Sequence, residues 1–278
     1  MQYREFLSGA ALVMLTACGG GDPTPPVANT ADPVVTTTTA TPAPPQPPAP
    51  PPAPAFIAKS VASTADYNFR YAIPKVAADY DGLVRHLNAD RDKAQASVAK
   101  DAAAFRKETV AGGFPFRKYE STTDWKQVAL TPRFLSLSAE TYDYTGGAHG
   151  SPGIRALLWD RRDAVVRQPT DLFVSEAAIQ QAIGAAFCDA LDIQRAKRRG
   201  APVVRGNGDS FNDCPKVSEA TLILGSTDGR AVDRIGLLVG PYVAGSYAEG
   251  SYDLTLPVTP ALIAAVKPDY RSAFATRG

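Results

Sequence analysis

Few side chains in this sequence are of the types that commonly act as nucleophiles or bind metals. The 278 residues include only three cysteines and two histidines, which excludes a zinc-finger array and a histidine-rich metal enzyme. His149 has the more unusual surroundings of the two histidines, since it lies in the segment Thr145-Gly146-Gly147-Ala148-His149-Gly150. Glycines adopt positive φ angles readily and allow a ligand or another backbone to approach closely. The segment therefore predicts a tight loop that presents His149 to a binding partner.

Catalysis is the alternative interpretation of this loop. His149 would then act as a general base, Asp143 would orient it, and Ser151 would be the nucleophile. The sequence has no nucleophile elbow, and His149 with Asp143 supplies only two of the roughly three or four ligands that a metal site needs. We therefore expect no catalytic residue, no metal and no cofactor, and we keep a hydrolase that uses His149 as the alternative.

A second glycine-framed segment, residues 240–250, carries two tyrosines, Tyr242 and Tyr247. Tyrosines on a loop framed by proline and glycine present rigid amphipathic area at a low entropic cost, as binding surfaces often do. The alternative is a structural crossover whose tyrosines pack on a sheet. The candidate ligand-binding residues of the two loops are Tyr142, Tyr144, Gly146, Gly147, His149, Tyr242 and Tyr247.

The first residues of the chain are typical of a lipoprotein signal peptide. Residues 6–15 form an apolar run that is too short to span a bilayer core about 30 Å thick. The run leads into Leu15-Thr16-Ala17-Cys18-Gly19, which resembles the bacterial lipobox, where the cysteine is lipidated and becomes the new N-terminus. We therefore expect a signal peptide over residues 1–17 and a lipid anchor at Cys18 that holds the protein in the cell envelope. Gly19, and not an aspartate, follows the cysteine, which by resemblance to the enterobacterial sorting pattern favours the outer membrane, facing the periplasm. An ordinary secretory signal is the alternative.

Residues 18–55 are predicted to be a disordered tether. Of the 24 prolines in the chain, 13 lie in this segment, which contains no aromatic side chain and no apolar periodicity. Such a segment cannot bury enough surface to fold, and its prolines favour extended polyproline II. A proline-rich ligand motif is the alternative to a spacer.

The two other cysteines, Cys188 and Cys214, form a single remaining pair once Cys18 is lipidated. In an oxidising compartment such a pair is expected to form a disulfide. This disulfide would also hold the polar, glycine-rich segment that precedes Cys214. Two buried free thiols are the alternative.

Residues 56–278 are predicted to form an α+β extracytoplasmic domain with antiparallel sheet and two principal helices. The predicted strands lie at residues 67–73, 114–119, 126–130, 134–144, 154–159, 164–168, 220–224, 235–239 and 252–257. The predicted helices are residues 79–111, a second helix capped by Ser175, and a short helix that begins after Thr259. Within residues 134–144, alternation places Leu135 on one face and Ser136 on the other. Two sub-lobes, at about 56–151 and 152–278, are compatible with this pattern.

Charge adds little to the choice of function. The formal net charge is +1, so non-specific attraction to nucleic acid is not expected. The second principal helix ends in the basic residues Arg195, Lys197, Arg198 and Arg199. A solvated helix end that complements the helix dipole is the simpler interpretation. A site for anionic lipid or a cell-wall polymer is the alternative.

Several segments together resemble the extracytoplasmic domain of RsiV-type anti-sigma factors, which also precedes the catalytic part of PdaC-type peptidoglycan deacetylases. The resemblance rests on Tyr142-x-Tyr144-Thr-Gly-Gly-Ala-His-Gly150, on Trp159-Asp-Arg-Arg-Asp163, on Pro169-Thr-Asp-Leu-Phe173, and on Gly240-Pro-Tyr-Val-Ala-Gly245. It spans about residues 60–260. It implies an α+β module without catalysis of its own, which in the RsiV type binds lysozyme as a signal.

The chain also departs from these relatives. We expect no transmembrane helix, no cytoplasmic sigma-binding segment and no deacetylase domain in this chain. We therefore expect a lipid-anchored envelope module that binds a lysozyme-like protein or peptidoglycan. A purely structural envelope lipoprotein is a further alternative.

Overall fold

The computed structural model describes residues 52–276. The predicted signal peptide, Cys18 and the predicted tether up to residue 51 lie outside them. The strands and α-helices are β1 (Lys59–Ser63), β2 (Tyr67–Ala72), α1 (Asp81–Ala111), β3 (Tyr119–Leu130), β4 (Phe134–Tyr144), β5 (Ser151–Asp160), β6 (Val165–Arg167), α2 (Glu176–Arg199), β7 (Thr221–Gly225), β8 (Arg234–Val239), β9 (Tyr252–Pro257) and α3 (Pro260–Ala265). None of the described helices is both long enough and apolar enough to cross a membrane.

The first sheet contains six strands in the order β1-β2-β3-β4-β5-β6. All neighbours are antiparallel except β2 and β3, which run parallel with Tyr67 opposite Tyr119. This parallel pair depends on α1, whose 31 residues connect β2 to β3 and return the chain to the same end of the sheet. The α+β class with two principal helices is confirmed. The sheet is mixed, however, whereas the sequence predicts antiparallel pairing.

Helix α1 covers one face of this sheet and ends at Gly112, close to its predicted bounds. Leu83 and Leu87 are among the side chains that it buries against the strands. Near its start, Gly82 allows the helix to approach β5 closely, because a Cβ at this position would lie 2.5 Å from the ring of Trp159. The predicted strand at residues 114–119 is not formed before Tyr119.

The second sheet is antiparallel, in the order β7-β8-β9, and α2 contacts β9 and α3. Both predicted helix caps are present. The Ser175 hydroxyl accepts a hydrogen bond from the backbone N–H of Ala178 at 3.1 Å, and the Thr259 hydroxyl accepts one from Leu262 at 3.2 Å. Each cap satisfies a backbone donor that the first turn of a helix otherwise leaves free.

Strand β4 is buried on both faces where it crosses the centre of the molecule. Leu135 belongs to the apolar cluster under α1, whereas Phe134 belongs to the cluster around α2 and the second sheet. Ser136 is therefore buried as well, and its hydroxyl has no hydrogen-bond partner among residues 52–276. The cluster under α1 also includes Trp159 of β5, so it extends past residue 151, the boundary that the sequence suggests between sub-lobes.

The predicted disulfide is confirmed. Cys188, in α2, is bonded to Cys214, with 5.5 Å between the two Cα atoms. Both cysteines pack against the apolar cluster around α2. The bond therefore ties the irregular segment after α2 to the side of that helix.

A buried carboxylate joins the loop between β3 and β4 to the hairpin of β5 and β6. The Asp160 side chain is fully buried and accepts hydrogen bonds from Arg133 at 2.9 Å and Arg167 at 3.2 Å. It also accepts from the backbone N–H groups of Arg162 and Asp163, both at 3.2 Å. Burial alone would raise the pKa of Asp160, but the hydrogen bonds from Arg133, Asp163 and Arg167 outweigh it and lower the pKa to about 2.

We expect acid to weaken the fold through Asp160. Because its folded-state pKa lies below the ordinary value of 3.8, its contribution is complete above that value and is lost as the pH falls toward about 2. The free energy of unfolding, measured by urea denaturation over this window, should therefore decrease more steeply for the natural chain than for Asp160→Asn. Parallel pH profiles for the two proteins would contradict this assignment.

Candidate functional site

Two loops that lie far apart in the sequence meet on the surface. The ring of Tyr247 stacks on the ring of His149, with 4.3 Å between the ring centroids. The Tyr247 hydroxyl donates a hydrogen bond to the carbonyl of Gly150 at 3.2 Å. The ring of Tyr242 lies 5.7 Å from that of Tyr247 and is 57% exposed. We call these three rings, of His149, Tyr242 and Tyr247, the aromatic ledge.

The first loop connects β4 to β5, and glycines determine its shape. Gly146 has a φ of +88°, the left-handed conformation that glycine adopts without strain. Gly150 lies against Tyr142, because a Cβ on Gly150 would be only 2.2 Å from the tyrosine ring. The Tyr144 hydroxyl donates to the carbonyl of Gly147 at 3.0 Å and closes the loop. These contacts make Tyr142 and Tyr144 supports of the loop that carries His149.

His149 is exposed, and its hydrogen bond is local. Its Nδ1 atom lies 3.0 Å from the carbonyl oxygen of Gly150, so this contact requires the proton on Nδ1. Asp143 and Ser151 face each other across the β4–β5 pair. Within residues 52–276, neither of them forms a hydrogen bond with His149. The structure therefore does not assemble the arrangement of base, orienting acid and nucleophile that the catalytic interpretation requires.

The second loop contains a strained residue. Tyr242 has a φ of +67°, which is unusual for a residue with a side chain. Its backbone N–H donates to the carbonyl of Gly245 at 3.0 Å, and Ala244 is fully buried beneath the loop. Strained backbone of this kind persists only where the surrounding structure enforces it, and it is concentrated at functional sites.

The end of α2 enforces this conformation. Arg195 is fully buried, and its Nε donates to the carbonyl of Ala244 at 2.9 Å. Arg199 donates to the same carbonyl at 3.1 Å and forms an ion pair with Glu249 at 2.9 Å. Burial opposes the charge on Glu249, but hydrogen bonds from Tyr252 and Arg199 hold its pKa below the ordinary value. The second loop is thus fastened to the helix end at both Ala244 and Glu249.

The basic cluster is therefore not simply a solvated helix end. Arg195 and Arg199 bond to the second loop, and Arg198 donates to the carbonyl of Ser251 at 3.0 Å. In the cluster, only Lys197 is both exposed and without a partner among the described residues. The sequence predicts this solvated state for the whole cluster. An apolar helix stripe does not reveal which later loop packs against its polar end.

No group of three histidine, cysteine, aspartate or glutamate side chains within residues 52–276 is arranged to hold a metal ion. The sequence does not predict that Arg195, Arg199 and Glu249 hold the second loop. For the two arginines, the signal in the sequence is the density of basic residues before Gly200. The structure brings His149, Tyr242 and Tyr247 together.

Comparison with known proteins bears on the first loop. Residues 61–152, about a third of the chain, match the family model of the deacetylase PdaC. The resemblance to the PdaC-type domain is confirmed over this segment. The PdaC-like segment contains His149 and the loop around it but ends before residues 240–250, so the family assignment of the second loop stays a prediction. The chain matches no curated protein.

Two solved structures match this chain at low similarity. A protein of the DUF3298 family from Pseudomonas aeruginosa is 18% identical, with a TM-score of 0.39, and the alignment covers 79% of this chain and 94% of that one. A member of the same family from Bacteroides fragilis is 17% identical, with a TM-score of 0.43 and coverage of 72% and 87%.

Proposed function

We propose that this chain is a lipid-anchored binding module of the cell envelope. The lipobox-like segment around Cys18 supports an anchor in the outer membrane, and residues 18–55 would separate the folded domain from it. The Cys188–Cys214 disulfide supports an oxidising compartment such as the periplasm. In this proposal the aromatic ledge recognises a wall-related partner, either a lysozyme-like protein or a glycan.

The aromatic ledge is the observation that carries the proposal. It joins rings from two loops whose contacting residues, Gly150 and Tyr247, are 97 positions apart. The strained backbone of Tyr242 and the arginines beneath it hold these rings in place before a partner arrives. Pre-organised tyrosines such as the exposed Tyr242 and the half-buried Tyr247 lose little entropy on binding, and tyrosines are enriched at the energetic centres of interfaces.

A lysozyme-like protein is the first partner to test, because RsiV-type relatives bind lysozyme and the first loop lies in the PdaC-like segment. We expect the full-length chain, purified in detergent, to bind lysozyme or soluble muropeptides in isothermal titration calorimetry. Tyr242→Ala and Tyr247→Ala should each weaken this binding about 30-fold, the range of an interface hot spot. Tyr247→Phe keeps the stacked ring and should retain most of the affinity.

The control is Phe114→Ala, which removes a 70% exposed aromatic ring outside the ledge and should leave affinity unchanged. If neither lysozyme nor muropeptides bind, the proposal loses its partner class. If they bind equally well to both tyrosine variants, the ledge is not the recognition surface.

A further inference from the structure

A polar groove lies between α1 and the first sheet, and the contacts described above do not use it. It is formed by residues 94–101 of α1 and by the ends of β3, β4 and β5, and has a volume of about 380 Å³. That volume lies within the range of small-molecule sites, roughly 300–1,000 Å³.

Hydroxyl side chains form the floor of the groove. Thr123 in β3 lies opposite Thr141 in β4, and Ser121 lies opposite Asp143, so these alternate residues point toward the same face of the sheet. The next strand has Gly153 opposite Thr141. A Cβ on Gly153 would lie only 2.6 Å from the Thr141 hydroxyl, so the absence of a side chain there keeps the floor open.

Two of these hydroxyls belong to buried residues but have no partner within the described part of the chain. Ser121 is 8% exposed and Thr123 is 5% exposed, yet neither side chain forms a hydrogen bond with any group in residues 52–276. Both line the groove. Because neither oxygen is a buried atom, each is open to the groove and can form a hydrogen bond only with water or with a ligand there. Elsewhere the same helix–sheet interface is filled by leucines such as Leu83 and Leu137.

The charges of the groove restrict its ligand. Asp101, Glu120 and Asp143 line it, and none of them is in an ion pair within the described part of the chain. Burial, and then the charges of Asp101 and Glu108, raises the pKa of Tyr119, which also lines the groove. The groove thus offers hydrogen-bond acceptors in a negative potential, which disfavours anionic ligands and favours ligands rich in O–H or N–H donors.

The cation of the groove is already paired. Both terminal nitrogens of Arg155 donate to Asp90 at 2.8 Å, and the Arg155 guanidinium lies over the ring of Trp125. Tyr71 donates to the same Asp90 carboxylate at 2.7 Å. Arg155 therefore closes one end of the groove without being available to bind a phosphate or a carboxylate.

We infer that this groove binds an oligosaccharide whose sugars are neutral or carry free amines. Sugar hydroxyls would donate to the carboxylates of Asp101 and Asp143 and would satisfy the hydroxyls of Ser121 and Thr123. A protonated amine on the sugar would gain further from the carboxylates. This inference goes beyond the proposed function, because it gives the chain a saccharide site in the groove that is separate from the aromatic ledge.

The test is calorimetry of the full-length chain in detergent with three tetrasaccharides. We expect N-acetylglucosamine tetramer to bind, the fully de-N-acetylated glucosamine tetramer to bind more tightly, and a galacturonate tetramer not to bind. Thr123→Val and Ser121→Ala should each weaken saccharide binding about tenfold, because each removes a hydrogen bond made only by the ligand. Neither should lower the thermal stability of the free protein, since neither hydroxyl has a protein partner.

The matched control is Thr122→Val, on the same strand but on the opposite face, which should bind saccharide as the natural chain does. Absence of saccharide binding, tightest binding of the galacturonate, or equal affinity of Thr123→Val and the natural chain would each overturn the inference. A lysozyme titration of the natural chain keeps the two proposals separate. If lysozyme binds and no saccharide does, only the inference about the groove is wrong. If saccharide binds, Thr123→Val weakens that binding and lysozyme does not bind, only the lysozyme-like partner of the proposed function is wrong.

Discussion

Replacing Arg195 with alanine is expected to lower the free energy of unfolding by about 3–5 kcal/mol, the range found when one partner of a buried charged network is removed. Arg195 is fully buried and donates to three backbone carbonyls, those of Ala244 at 2.9 Å, Asp213 at 3.0 Å and Asn212 at 3.4 Å. It also forms an ion pair with Asp192 at 3.1 Å. The substitution would leave these acceptors unsatisfied and open a cavity at the end of α2.

Chemical denaturation followed by circular dichroism measures this loss. Lys197→Ala is the matched control, because Lys197 is an exposed cation on the same helix and should change stability by less than about 0.5 kcal/mol. Similar stabilities for the two variants would show that Arg195 does not fasten the second loop. If Arg195→Ala is destabilised as expected, the amides of residues 240–250 should also exchange faster, because their anchor is lost.

Removal of the disulfide is expected to have the second large effect. Cys188 and Cys214 are separated by 26 positions, and closing a loop of that length stabilises a protein by roughly 3–4 kcal/mol in the chain-entropy model. The double variant Cys188→Ser/Cys214→Ser, which leaves no free thiol at either site, should lose that amount in urea denaturation. Reduced natural protein should show the same loss, and a double variant as stable as the oxidised protein would contradict the prediction.

The two effects should not be additive. Arg195 binds the carbonyls of Asn212 and Asp213, which directly precede the disulfide cysteine Cys214. Once the disulfide is removed, this segment is less constrained, and part of the contribution of Arg195 is already lost. Substitutions that share partners commonly show coupling of about 0.5–3 kcal/mol.

Local features of the fold were predictable from the sequence. The end of α1 at Gly112 and the caps at Ser175 and Thr259 depend on residues within one helical turn, and a short window of sequence contains that information. The hairpin between β5 and β6 likewise follows from two strand-like runs separated by a polar turn.

Long-range pairing was not predictable in the same way. The alternation in β2 and β3 identifies each as a strand but carries no information about whether the two run parallel. The burial of Ser136 was not predictable either. Its polar character suggests a solvent-facing position, but a second apolar cluster covers that face of β4. The predicted strand at residues 114–119 contains Pro115, which lacks the N–H donor that a strand requires.

The candidate site was predictable in its parts but not in its assembly. Glycines mark both loops as tight and accessible, and the tyrosines mark them as binding surfaces. Their contact, with Tyr247 stacked on His149, depends on how the second sheet packs against the first. The roles of Arg195 and Glu249 depend on the same packing, so no local pattern reveals them.

Hydrogen–deuterium exchange of the full-length chain, with and without bound lysozyme or muropeptide, tests most directly whether the ledge is one recognition surface. The account predicts that a bound partner protects residues 145–150 and residues 240–250 together, since Tyr247 contacts both His149 and Gly150. Protection of only one of these loops, or protection confined to another face of the molecule, would contradict it.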